Sequence, residues 1–186
     1  MIFSLEVFDM AGAGIAAIST LTGAMRYRLS WALSLISCSI YCIIFFYKSL
    51  PYNLIVHSLY LPLTLYGAYQ WHKSPPTSSQ IKFSSPLTIS LIFTICGMMY
   101  IVSIISNGNW HNDSITSFLS VSAMYLMANH SIECWILWFL ADIIYLKLYM
   151  DSHMPFSMLK SGCYLVVSLT TYFYWYKIYR PRKDLS

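Results

Sequence analysis

Charge is scarce in this chain. Only 10% of its 186 residues are Asp, Glu, Lys or Arg, against roughly 25% in an ordinary soluble domain. The chain is also 58% hydrophobic, so in water it would expose apolar patches larger than soluble monomers carry. This excludes a soluble enzyme, a disordered tail and a nucleic-acid binder. It describes an integral membrane protein with little mass outside the bilayer. The five cysteines (Cys38, Cys42, Cys96, Cys134 and Cys163) make no C-x-x-C pair and no zinc spacing, which argues against a disulfide or metal framework and for reduced, buried core residues. P-loop, H-E-x-x-H and G-x-S-x-G motifs are missing, as is a second mid-membrane Asp for an aspartyl dyad. The expectation is a protein that is no enzyme and needs no cofactor. Its opening residues, MIFSLEVFDM, carry Glu6 and Asp9 and no basic stretch, unlike a cleaved signal peptide.

What the chain has is long apolar runs. A hydrocarbon core of about 30 Å takes a helix of about 20 residues, and runs of that kind lie near 2–24, 31–47, 51–71, 86–106, 113–129, 133–150 and 157–178. They are continuous and do not alternate every second residue, which excludes a barrel. The fold class is therefore all-α, integral to the membrane, with seven transmembrane helices. Connections are short except for HKSPPTSSQIKFSSP at 72–86, whose Pro-Pro pair and serines read as a solvated linker. The linker divides the chain into three helices, one, and three: residues 1–72 form a first repeat, 73–111 a cytoplasmic linker with the fourth helix, and 112–186 a second repeat with a basic tail. The net charge of +4 is no nucleic-acid footprint, because the basic residues sit at span ends. Arg26, Arg28, Lys73, Lys82, Lys177, Arg180, Arg182 and Lys183 collect on one side, with only Lys48 clearly in a loop on the other. The positive-inside rule then places the N-terminus outside and the C-terminus in the cytoplasm.

Shifted by 104 residues, 27–73 falls on 131–177 without a gap. Trp31 meets Trp135, Tyr41 meets Tyr145, Pro51 meets Pro155, Tyr60 meets Tyr164, Trp71 meets Trp175 and Lys73 meets Lys177, while Asp9 meets Asp113. Leucines match by chance in apolar chains; aromatic residues, a turn proline and a terminal lysine in one register do so far less. Three-helix copies joined by a single helix enter the membrane from the same side, which makes this a parallel repeat, a transporter architecture.

Ionisable groups inside a membrane helix are costly and mark functional positions by default. Asp142 stands mid-run in WILWFLADIIYLKLY, and Trp135, Trp138, Asp142 and Tyr145 share one helical face. Indoles, a phenol and a carboxylate on one stripe suit a flat cationic ring, through stacking, cation–π attraction and a counter-charge. The alternative is an Asp used as interhelical glue. The second span repeats the face without the charge, with Trp31, Ser34, Cys38 and Tyr41. On the third span Asn53, His57, Tyr60, Thr64 and Trp71 form a polar stripe, for which a core role and a cavity role are both open. His72, His111, His130 and His153 fall near span ends, in reach of water, and the fifth span opens at Asp113 with a run of hydroxyls. No set of residues points to a bound metal.

The run CIIFFYKSLPYNLIVHSLYLPLTLYGAYQW, with its I-F-F and Tyr-Gly-x-Tyr-x-Trp, resembles the second and third helices of PnuC-type nicotinamide riboside transporters. IECWILWFLADIIYLKLY, with its Glu-x-Trp-x-x-Trp, resembles their sixth, and Asp113 with the hydroxyl-rich fifth span also fits. The resemblance implies a fold like that of the SWEET sugar carriers, and facilitated diffusion of a vitamin-like solute across a bacterial inner membrane. It also implies trapping by a cytoplasmic kinase and a homotrimer. In the family the solute binds between the repeats, through tryptophans of the sixth helix and polar residues of the third and sixth. His57 stands where these carriers usually show Gln, and Asp142 where many show Asn. A carboxylate facing the ligand favours a cation and accepts nicotinamide riboside and thiamine alike; the resemblance puts nicotinamide riboside first and thiamine second. A SWEET-like sugar carrier fits Asp142 less well, and a non-transporting receptor or assembly protein is the alternative from another class.

Overall fold

The structure is a computed structural model that describes residues 2–47, 51–74, 81–105, 111–151 and 155–183. Seven helices run through these residues: α1 (Ile2–Ala24), α2 (Leu29–Tyr47), α3 (Pro51–Lys73), α4 (Pro86–Ile105), α5 (His111–Ala128), α6 (Cys134–Asp151) and α7 (Pro155–Lys183). Each coincides with one apolar run. Prolines open α3, α4 and α7, where the missing N–H is one that the first turn leaves unpaired anyway. Ser85 caps α4 ahead of Pro86, its Oγ accepting from the Thr88 N–H at 3.1 Å. Pro62 lies inside α3 and removes the helical N–H that would reach the Ser58 carbonyl.

The largest departure from the sequence reading is the end of α7, which continues to Lys183 where apolar periodicity stops near 178. Leaving an apolar environment does not end a helix, and Pro181 costs only a hydrogen bond in the last turn.

The chain divides into two compact units, Met1–Gln80 and Ile81–Ser186. In the first, α2 packs against both α1 and α3; in the second, α6 packs against both α5 and α7, and α4 lies on α5. Hydroxyls tie α1 to α2: Ser19 donates to the Ser30 carbonyl at 2.7 Å and Ser37 to the Gly12 carbonyl at 3.0 Å.

The turns entering α2 and α6 have the same construction. Arg26 (φ 67°) and His130 (φ 58°) are the two non-glycine residues with positive φ among the described residues. Around the first, the Arg26 N–H reaches the Gly23 carbonyl and the Tyr27 N–H reaches Thr22; around the second, His130 reaches Met127 and Ser131 reaches Leu126. Both are Schellman closures, and every pair is separated by the same 104 positions.

Two expectations need correction here. Residues 81–85 are more firmly held than a solvated linker would be: Lys82, Phe83 and Ser85 are exposed, but Ile81 is buried, and the Lys82 N–H and carbonyl bond the His130 carbonyl and the Ile132 N–H at 3.2 and 3.1 Å. This bridge pairs Lys82 with Ser131, and His130 in the same turn, expected in reach of water, is buried. The cysteines are free, but only Cys38 and Cys134 are buried, while Cys163 is exposed, because it faces outward from α7. His153 and residues 75–80 lie outside the described residues.

The outer surface is apolar. Leu87, Met10 and Ile105 are 79%, 76% and 75% exposed, and Phe46 and Leu159 are exposed as well. A surface of that kind belongs in hydrocarbon. Among the described residues Val7–Ala24 and Leu29–Tyr47 are long and apolar enough to cross a membrane unaided.

Candidate functional site

Five of the expected site residues belong to the first unit and five to the second. In the first, Trp31 of α2 is buried and sets its ring edge-on against Trp71 of α3, with centroids 5.5 Å apart at 80°. Gly67 makes that approach possible, since a Cβ there would overlap Cζ3 and Cη2 of Trp31. The glycine of the Tyr-Gly-x-Tyr-x-Trp motif thus has a steric reason. About two turns beyond Trp31 on α2, Ser37 and Cys38 are buried.

Further along the same pair of helices, His57 sits among aromatic rings. Its imidazole lies 4.8 Å from Phe45, 5.4 Å from Tyr41 and 5.4 Å from Tyr60, while Tyr41 stacks on Phe45 at 5.7 Å. His57 and Tyr60 of the third-span stripe thus meet Tyr41 of the second span, a contact between the two stripes that the sequence reading did not draw. Phe45 was missed as a partner, though it is part of the I-F-F run. Its spacing alone does not show that it turns toward α3. Asn53 lies in the first turn of α3, and its side chain is outside the described set.

In the second unit Trp135 of α6 is buried, and its ring lies edge-on to Trp175 of α7 at 5.6 Å and 78°. Trp31 with Trp71, and Trp135 with Trp175, therefore make the same contact at equivalent positions. The indole N–H groups of Trp31 and Trp135 are both buried and meet no hydrogen-bond acceptor among the described residues. Asp142 is 6% exposed, and Trp138 and Tyr145 on its stripe are half-buried. The helices packed on α6 turn hydroxyls inward: Thr116 and Ser120 on α5, and Ser161, Ser168 and Thr171 on α7, are buried. Asp113 lies in the first turn of α5, with its side chain outside the described set.

The two units differ in where they hold an ionisable group. At the register of 104, Asp142 corresponds to Cys38 and His57 to Ser161. One unit carries an imidazole caged by rings, and the other a buried carboxylate beside two half-buried rings. Among the described residues no group of His, Cys, Asp and Glu could hold a metal ion. An apolar, all-helical exterior around buried polar stripes defines a membrane protein built to handle a polar solute.

The comparisons with known proteins agree with that class. Residues 6–177 match the nicotinamide mononucleotide transporter family, and the chain belongs to it: it is an integral membrane transporter, not an enzyme. Its fold is similar to that in "Crystal structure of the Vitamin B3 transporter PnuC", with a TM-score of 0.68 and 18% identity, covering 97% of this chain and 90% of that one. No curated protein matches the chain.

Proposed function

We propose that this protein is a passive carrier for a flat cationic vitamin, with nicotinamide riboside as its solute. The observation that carries the reading is Asp142, buried on the α6 stripe that also holds half-buried Trp138 and Tyr145. A pyridinium would gain cation–π attraction from the rings and a counter-charge from the carboxylate. Trp135, packed on Trp175, holds the wall in place and keeps its indole N–H as a donor for a solute hydroxyl. In the first unit His57 with Tyr41 and Tyr60 supplies the corresponding polar surface, and Trp31 corresponds to Trp135. Asn53 and Asp113 complete the set of expected contacts. Thiamine, also a ring cation, meets the same requirement and is the second reading. A neutral sugar brings no positive charge to set against the carboxylate, which counts against it.

The matched turns and the matched tryptophan pairs support a duplicated three-helix unit, with α4 restoring the direction of the chain. Such a molecule would work by alternating access of two three-helix bundles, with N-terminus outside and C-terminus in the cytoplasm of a bacterial inner membrane. Net uptake would be drawn by cytoplasmic phosphorylation of the solute. Uptake of labelled nicotinamide riboside and thiamine into proteoliposomes tests the reading. Saturable uptake of either cation, lost on Asp142→Asn, is expected. Equal uptake by the variant removes the role given to the charge.

A further inference from the structure

Glu133 stands just before α6 and is followed within five residues by Trp135 and Trp138. Its main chain caps the helix, the carbonyl accepting from the Ile136 and Leu137 N–H groups at 3.0 and 3.1 Å. Its side chain turns the other way. Oε1 accepts the Ser84 N–H at 2.8 Å, a contact across 49 residues of chain. Oε2 is buried with no hydrogen-bond partner among the described residues, so the carboxylate serves this one bond.

Ser84 belongs to the short strap that leads into α4. The strap is held at four successive positions: Ile81 is buried, Lys82 bridges to Ser131, Phe83 sets its ring edge-on to Tyr179 of α7 at 5.1 Å, and Ser84 bonds Glu133. Ser85 then caps α4. Four elements of the second unit therefore meet at the strap: the start of α4, the α5–α6 turn, the start of α6 and the end of α7. At the register of 104 the first unit has Leu29 in place of Glu133, and Leu29 is exposed. The backbone closures of the two turns match, but only the second carries an acidic residue at this position, and the strap lies on the turn that has it.

We propose that Glu133 is a positioning residue for transport: by holding the strap Ile81–Ser85 across the α5–α6 turn it makes α4 part of the second helical bundle. The bundle then moves as four helices, and the start of α6, with its tryptophans, keeps its place through the cycle. Breaking the tie lets α4 slip against α5–α7, so the conformational step slows while the solute contacts stay intact. This rests on the transport function and not on which solute is carried.

The test compares Glu133→Ala with Glu133→Gln in proteoliposomes, using labelled nicotinamide riboside and thiamine and reading whichever the unaltered protein takes up. Glu133→Gln keeps an acceptor oxygen for the Ser84 N–H and should transport near the parent rate. Glu133→Ala should lose about tenfold in maximal rate with little change in half-saturation, the pattern of a lost conformational step and not of lost binding. A Lys82→Cys, Ser131→Cys pair then supplies a covalent tie, since bridged neighbours lie within disulfide reach. Oxidation of that pair in the Glu133→Ala background should restore uptake, which a misfolded variant could not do. Amide exchange at Lys82 and Ile132 gives a readout independent of any solute, and protection should fall in Glu133→Ala alone. Parent-like uptake or parent-like protection in Glu133→Ala overturns the proposal. So does a cross-link that forms without restoring transport.

Discussion

At Gly67 a hydrogen stands where any other residue would push a carbon into the Trp31 indole. Gly67→Ala should destabilise the protein by about 1–3 kcal/mol, the usual range for overpacking a tight contact, seen as a lower unfolding temperature in detergent. Gly97 is the control, because a Cβ there meets nothing within 4 Å. Gly97→Ala should be neutral or slightly stabilising, as expected for glycine in a helix interior. Asp142 was legible as a candidate from its position in an apolar run, and so was the tryptophan stripe. That Trp31 and Trp135 would be engaged by Trp71 and Trp175 was not, because an edge-to-face contact between helices leaves no mark in the spacing along either one. The same holds for Phe45 at His57. Each residue was visible, but not the neighbour it would find.

Helices are the elements a sequence of this kind shows most plainly. Apolar runs located all seven, with ends off by a few residues except at α7. The strap at 81–85 was hidden for a physical reason. Its hydrogen bonds go to residues 130–133, so nothing local distinguishes it from the Pro- and Ser-rich stretch before it. The left-handed turn residues were equally silent, since Arg26 and His130 replace the glycine that usually announces such a closure. A non-glycine residue held there costs about 1–2 kcal/mol. Arg26→Gly should therefore raise the unfolding temperature modestly. Loss of stability in that variant would mean that the arginine side chain contributes more than its backbone strain costs. His130→Gly should gain less, because a buried imidazole is removed along with the strain.

For the whole molecule, composition alone indicated the membrane, and the exposed Leu, Met, Ile and Phe side chains agree with it. At the internal register of 104 the two turns and the two tryptophan pairs have like geometry, which supports the proposed duplication. The balance of basic residues predicts a cytoplasmic C-terminus. A reporter that matures only in the cytoplasm should be active when fused after Ser186, and inactivity would reverse the orientation. Between the two units the chemistry is unequal, His57 in one and Asp142 in the other, and that inequality is where selectivity for a cation would arise.

The central claim is best tested by calorimetric titration of the purified, detergent-solubilised protein with nicotinamide riboside, thiamine and riboflavin in parallel. The account predicts saturable binding of a cationic vitamin, weaker by about tenfold or more (about 1.4 kcal/mol) in Asp142→Asn, and no comparable binding of neutral riboflavin. Preferential binding of the neutral vitamin, or unchanged affinity for the cation in Asp142→Asn, would contradict it.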